Sequence, residues 1–193
     1  MAGALIAFEG LDQSGKQTQA EMLRERLTSA GRPVCPLSFP DYETVIGAEI
    51  GRALRGERDY TADVMQLLYV ANRYEKKGEI ERAKNRGAVV LCDRYLASSI
   101  AYGEAQGLDA AWLGDIQKYL PQPDITFLLD IEPEVSARRK TVERDRYERD
   151  LSLLSRVRDS YLRQAKAGWI RLDASRAPDA IAADVWRAVE AAS

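Results

Sequence analysis

The sequence predicts an α/β fold of three layers, α/β/α, in which helices flank a central, mostly parallel five-stranded sheet. Three observations predict it. Short continuous apolar runs alternate with long amphipathic stretches along all 193 residues. Strands buried on both faces read as unbroken apolar runs, and parallel neighbours need helical crossovers between them. Directly after the first run stands FEGLDQSGK, residues 8–16, the outline of a phosphate-binding loop (P-loop) between a strand and a helix.

Element by element, Ala4–Phe8 (ALIAF) is an apolar run of strand length. Met22, Leu23 and Leu27 recur at helical spacing within 17–30, and Gly31 can end that helix. Residues 33–39 read as a second strand, then 43–54 and 62–85 as helices, the latter with an apolar face over Leu67, Leu68, Val70, Ala71 and Tyr74. Ala88–Cys92 (AVVLC) is the third strand, and helical stretches run through Tyr119. Ile125–Ile131 is the fourth strand. A helix after Pro133 leads into RRKTVERDRYERD, which is almost devoid of aliphatic residues. Residues 151–167 are helical, 169–172 a short fifth strand, and 177–192 a closing helix. With no internal repeat and no linker, residues 1–193 are expected to form a single domain.

Forty-six per cent apolar and 30% charged residues describe a globular chain with a full core. A net charge of −2 gives no sign of a nucleic-acid binder. No apolar run approaches the ~18 residues that span a bilayer, and MAGALIAFEG lacks the basic start of a signal peptide. The chain has no histidine, which excludes histidine triads and histidine general bases. Cys35 and Cys92 read as buried small hydrophobes, so the expected compartment is a reducing cytoplasm.

In the loop, Gly10 and Gly15 permit the tight path, and Lys16 adds a charge at the phosphates of a nucleotide. Gly10, Leu11, Asp12, Gln13, Ser14, Gly15, Lys16, Gln17 and Thr18 are therefore the candidate ATP-binding segment. The position after Lys16, where G-x-x-x-x-G-K-[ST] places a magnesium-binding hydroxyl, holds Gln17. Thr18 lies about 100° further around the helix and is expected to point elsewhere. Magnesium keeps several waters and can survive the loss of one protein ligand. Asp93 and Asp12, both expected at carboxyl ends of strands, are the candidate metal carboxylates, partly through water.

With FEGLDQSGK, SFPDY (38–42), ANRYE (71–75), DRYLASSIAY (93–102), LPQPDITFLLD (120–130), DRYERD (145–150) and LDAS (172–175) in order, the chain resembles the thymidylate kinases, P-loop nucleoside monophosphate kinases. The resemblance implies ATP-dependent, Mg2+-assisted phosphorylation of dTMP to dTDP, and a homodimer. It implies that Arg94 grips the dTMP phosphate, a role suited to a planar bidentate guanidinium. Asp93 would organise magnesium, and Asp12 would lie near the sugar 3′-hydroxyl. Phe39 and Pro40 would wall the dTMP site, Tyr69 would stack on thymine, and Arg73 would bond a thymine carbonyl. Taken alone Tyr69 also reads as a core residue; Arg73 four positions on shifts that balance. Tyr102 would disfavour a ribose 2′-hydroxyl, and Ser98 and Ser99 would line the same turn. Tyr42 stands where some members carry an arginine, so it offers at most a neutral hydrogen bond.

Some members also carry an arginine inside the loop, where this chain has Gln13. The alternative is a basic lid. Residues 138–150 hold Arg138, Arg139, Lys140, Arg144, Arg146 and Arg149 among four acids. By itself such a run reads as a solvated helix face. Phosphoryl transfer nevertheless needs positive charge on the transferred group, worth roughly 10³–10⁵ in rate for an arginine finger. Arg144, Arg139 and Arg146 are the catalytic candidates beside Lys16, Asp93 and Arg94. Two rival readings remain at this point: another P-loop nucleotide or deoxynucleoside kinase, and a non-catalytic nucleotide-binding module that has lost turnover through Gln17.

Overall fold

The computed structural model describes residues 3–139, 150–165 and 168–192. Five strands, β1 (Leu5–Gly10), β2 (Val34–Ser38), β3 (Val89–Asp93), β4 (Ile125–Asp130) and β5 (Ile170–Asp173), form one sheet in the order β2-β3-β1-β4-β5. Every pairing is parallel, so the expectation of a mostly parallel sheet sharpens to an entirely parallel one among the described residues. β1 sits in the middle, pairing Ile6 with both Leu91 of β3 and Ile125 of β4. All six of its residues are buried, which is why it reads as an unbroken apolar run. Its side chains alternate between two cores: Ile6 and Phe8 on one face, Leu5 and Ala7 on the other. Phe8 stacks on Phe127 of β4 with centroids 5.2 Å apart.

The helices α1 (Lys16–Ser29), α7 (Leu151–Gln164) and α8 (Pro178–Ala191) contribute Leu23, Leu27, Val157, Ile181 and Val185 to the first core. α3 (Ala62–Asn85) closes the second with Ile80 and Ala83. Among the described residues no helix is long and apolar enough to cross a membrane.

Several boundaries moved from the sequence reading, each for a local reason. α2 starts at Val45, not at 43, because Thr44 caps it: its hydroxyl accepts from the Gly47 amide at 3.0 Å. The helical stretch before Tyr119 divides into α4 (Leu96–Ala105) and α5 (Ala110–Asp115). Gly107, at φ +89°, turns the chain between them, and Asp109 caps α5 through the Trp112 amide. α6 (Pro133–Arg139) begins the expected basic segment; residues 140–149 lie outside the described residues. Asp150, read with the lid, instead caps α7, accepting from the amides of Ser152 and Leu153 at 3.0 Å. Cys92 is buried as expected, but Cys35 is only half-buried, because β2 is an edge strand.

Candidate active site

Everything of interest lies beyond the carboxyl ends of β1 and β3, where open parallel sheets bind ligands. The loop leaves β1 at Gly10, whose φ is +140°. A Cβ there would stand 2.5 Å from the Leu129 carbonyl, so no other residue fits without moving β4. Gly15, at φ +92°, opens α1. Between them Gln13 takes a left-handed conformation at φ +58°. The Lys16 ammonium folds back over the loop and donates to the Leu11 carbonyl at 2.7 Å. Burial, and after it the Arg94 charge, push its pKa down to about 8. Ser136 of α6 donates to the Asp12 carbonyl at 2.6 Å. Arg139 straps the loop to the turn after β5: it donates to the carbonyls of Gln13 at 3.1 Å and Ala174 at 2.8 Å.

Arg94 follows β3 in a left-handed backbone conformation, φ +62°, with its amide donating to the Phe8 carbonyl at 2.9 Å. Its guanidinium donates to Asp12 Oδ1 at 2.6 Å, the Gly10 carbonyl at 3.1 Å and Ser98 Oγ at 3.2 Å. Tyr102 donates to the other Asp12 oxygen at 2.9 Å. Burial would raise the Asp12 carboxyl, but the Arg94 and Lys16 charges and these two donors hold it well below the ordinary carboxylate range. Burial works against the Arg94 charge too, and Asp12 outweighs it. Burial pushes the Tyr102 phenol up, so it stays a neutral donor.

Beneath this pair lies Glu9, only 1% exposed. It accepts from the Tyr95 amide at 2.8 Å, Ser98 Oγ at 2.6 Å and Tyr161 Oη at 3.1 Å. Three elements (β1, α4 and α7) are thereby tied under the arginine.

Two cavities meet at Arg94. The smaller brings together all ten residues expected to hold the phosphate acceptor: Asp12, Phe39, Pro40, Tyr42, Tyr69, Arg73, Arg94, Ser98, Ser99 and Tyr102, together with Leu54 and Gln66. Arg73 is 3% exposed and donates to Ser99 Oγ at 2.7 Å. Tyr42 is half-exposed at the rim.

The larger cavity is lined by Asp12–Thr18, Ser38, Asp93, Arg139, Arg176 and Pro178, and shares Asp12, Phe39, Pro40, Tyr42 and Arg94 with the first. Thr18 is among the residues of that wall. Gly10 and Leu11 line neither cavity; one shapes the turn, and the carbonyl of the other holds Lys16. Arg144 and Arg146 lie outside the described residues.

The residues present accommodate a magnesium ion unevenly. Asp93 Oδ1 is buried without a hydrogen-bond partner on the wall of the larger cavity, near Lys16 and Gln17. Both Asp12 oxygens are already engaged. Among the described residues no group of three or more acids or cysteines gathers to hold a metal. Asp93 therefore fits an ion held mainly by water and nucleotide phosphates.

Sequence reasoning missed Gln66, Leu54, Tyr161 and Ser136. For Gln66 a signal existed: it precedes Tyr69 by three residues and Arg73 by seven, on one face of α3. Tyr161 and Ser136 carry no local signal, because tertiary packing alone brings them to the loop.

A P-loop at the centre of a β2-β3-β1-β4-β5 parallel sheet, with an arginine between two cavities, defines a P-loop kinase of the nucleoside monophosphate type. The thymidylate kinase family model matches residues 8–185. A thymidylate kinase of Arabidopsis thaliana is 36% identical over 93% of this chain and 68% of that protein. The human thymidylate kinase is 30% identical over 95% of this chain and 88% of that protein. A solved thymidylate kinase from Candida albicans superposes with a TM-score of 0.88 at 30% identity, covering 98% of this chain and 92% of that one. The chain belongs to the thymidylate kinase family.

Proposed function

We propose that this protein transfers the γ-phosphoryl group of ATP to dTMP, giving ADP and dTDP. The observation that carries the reading is the junction of the two cavities at Arg94 and Asp12, one floored by the P-loop, the other lined by Tyr69 and Arg73. The chemistry follows from these residues. The loop amides, the positive start of α1 and Lys16 hold the ATP phosphates. Arg94 holds the monophosphate, so that one of its oxygens faces the γ-phosphorus. That oxygen is already ionised near neutral pH and needs no general base. The P–O bond to the new acceptor forms as the bond to ADP breaks. Fixed positive charge from Lys16, Arg94 and Arg139, with Arg144 and Arg146 as further candidates, stabilises the charge spread over the transferred group. Mg2+ held by Asp93 through water would neutralise the nucleotide phosphates. The Tyr102 hydroxyl, bound to Asp12 on the cavity wall, would disfavour a ribose 2′-hydroxyl.

Tyr69, Phe39 and Pro40 supply apolar walls for a pyrimidine, and Arg73 a donor for its carbonyl. Homodimerisation is supported by Val64 and Leu67, exposed apolar residues one turn apart on α3. A cytoplasmic location is supported by two free cysteines.

A coupled ADP assay over deoxynucleosides and nucleoside monophosphates, with and without Mg2+, tests the function. ADP formation that needs both dTMP and Mg2+ is expected. Preference for a nucleoside, CMP or AMP, or tight ATP binding without turnover, would overturn it. Sedimentation of the same preparation tests the dimer.

A further inference from the structure

We propose that Gln66 reads the base: its side-chain amide pairs with the imide edge of the bound pyrimidine, accepting the ring N3–H and donating to the adjacent carbonyl. The proposal rests on the dTMP reading and sharpens it.

Gln66 is 1% exposed, lines the acceptor cavity, and neither its amide nitrogen nor its amide oxygen has a hydrogen-bond partner within the protein. Buried polar side-chain atoms are nearly always paired, and an unpaired one costs about 1–3 kcal/mol. An amide leaving both ends open beside a cavity is therefore matched to something that enters it. Its stem is wedged from behind. A Cβ on Gly103 would stand 2.6 Å from Leu113 Cδ1 and 3.3 Å from Gln66 Cγ, so glycine lets α4 pack close against both.

The neighbours decide what the amide meets. Tyr69 and Arg73 follow Gln66 on the same face of α3. Arg73 gives Nη1 to Ser99, while its Nε is buried and unpartnered. A guanidinium has donors only, so it can answer ring carbonyls but never a ring N–H.

The carboxylate and the serine hydroxyls that line the cavity are engaged. Asp12 is held by Arg94 and Tyr102, Ser98 accepts from Arg94, and Ser99 accepts from Arg73. The Gln66 oxygen is a buried, unpartnered acceptor open to an N–H. An amide alone can flip to suit either cytosine or a 2,4-dioxopyrimidine. Arg73 breaks that symmetry, because its donors would face the amino group of cytosine with nothing to accept them.

The test is steady-state kinetics with ATP on the wild type, Gln66→Met and Gln66→Ala, using dTMP, dCMP and 3-methyl-dTMP, which lacks the N3–H. For Gln66→Met we expect KM for dTMP to rise roughly tenfold or more with kcat changed less than about threefold. The melting temperature of the free protein should equal or exceed that of the wild type, since an unpaired buried amide is gone. The wild type should disfavour 3-methyl-dTMP and dCMP in kcat/KM by roughly 100-fold. Gln66→Ala should narrow the gap between dTMP and 3-methyl-dTMP by roughly tenfold. Unchanged KM for dTMP in both variants, or an unchanged ratio between dTMP and its methyl analogue, overturns the role of Gln66; a water satisfying the amide would give that result. Absence of dTMP turnover in the wild type itself would instead overturn the substrate reading, and the pairing with it.

Discussion

Lys16 carries a positive charge that its own surroundings resist. Burial, then the Arg94 guanidinium, bring its pKa from the ordinary 10.5 to about 8. The folded protein therefore binds fewer protons than the unfolded chain between those values. The cost of burying the charge is felt in full below pH 8 and lapses as the pH rises towards 10.5. A bound triphosphate reverses the balance, because its negative charge favours the ammonium. ATP binding is expected to take up roughly half a proton near pH 8 and almost none near pH 6. Calorimetry of ATP binding in two buffers of different ionisation enthalpy measures this directly, and equal uptake at both pH values would refute it. Asp12 shows the opposite case: its depressed pKa keeps it ionised throughout this range, so its pair with Arg94 does not change. The residue scale is also where the sequence was most uneven as a guide. Gln13 and Gln17 stood out because a motif says what ought to occupy their places. Gln66 shares a helix face with Tyr69 and Arg73, but that spacing alone assigns it no role until its amide is seen to lack a partner.

Between elements, one side chain carries much of the acceptor-cavity wall. Asn72 of α3 is fully buried. It accepts from the Asp41 amide at 2.8 Å and donates to the Asp41 carbonyl at 3.2 Å and Thr44 Oγ1 at 2.9 Å. It thus pins the Phe39–Tyr42 turn and the start of α2 to α3. The helix must come close: a Cβ on Gly47 would stand 1.7 Å from the Asp41 carbonyl oxygen. Asn72→Ala is expected to cost about 1–3 kcal/mol in urea unfolding, because the turn is left with unpaired buried groups. It should also raise KM for dTMP more than it lowers kcat. Wild-type KM in a destabilised variant would show that the turn holds its shape without Asn72. In the sequence, ANRYE was legible as a motif, but only Arg73 drew a role from it. The service of Asn72 depends on a turn 31 residues earlier, and no helical periodicity encodes that.

Across the whole molecule, Arg139 links the P-loop to the turn after β5. Two bonds to carbonyls orient a charge whose ordinary partners are phosphates. Arg139→Ala is expected to lower kcat roughly tenfold or more while KM for dTMP changes less than about threefold. If kcat survives, positive charge at this end of α6 is not used in transfer. We further propose that the chain unfolds as one unit, since β1 joins both cores. Tryptophan fluorescence from Trp112, Trp169 and Trp186, read against circular dichroism in urea, should then give coincident midpoints, and two separated transitions would refute it. The three central strands were legible from apolar runs alone, because strands buried on both faces leave a continuous signature; the edge strands β2 and β5, half-buried and mixed in composition, were read from weaker runs. The order of the strands was not legible, since nothing in the runs names a neighbour.

That order has a consequence for how the molecule is made. Leu5–Gly10 is made before the other four strands, yet its partners are Val89–Asp93 and Ile125–Asp130. The ribosome must add about 115 residues between the end of β1 and the start of β4, roughly 6–24 s at ordinary rates of synthesis. For that interval a fully buried strand of the finished protein has no partner for its second edge. The strand that leads into the P-loop is thus, of the five, the one that a holding chaperone would have to shield for longest before both its edges are paired.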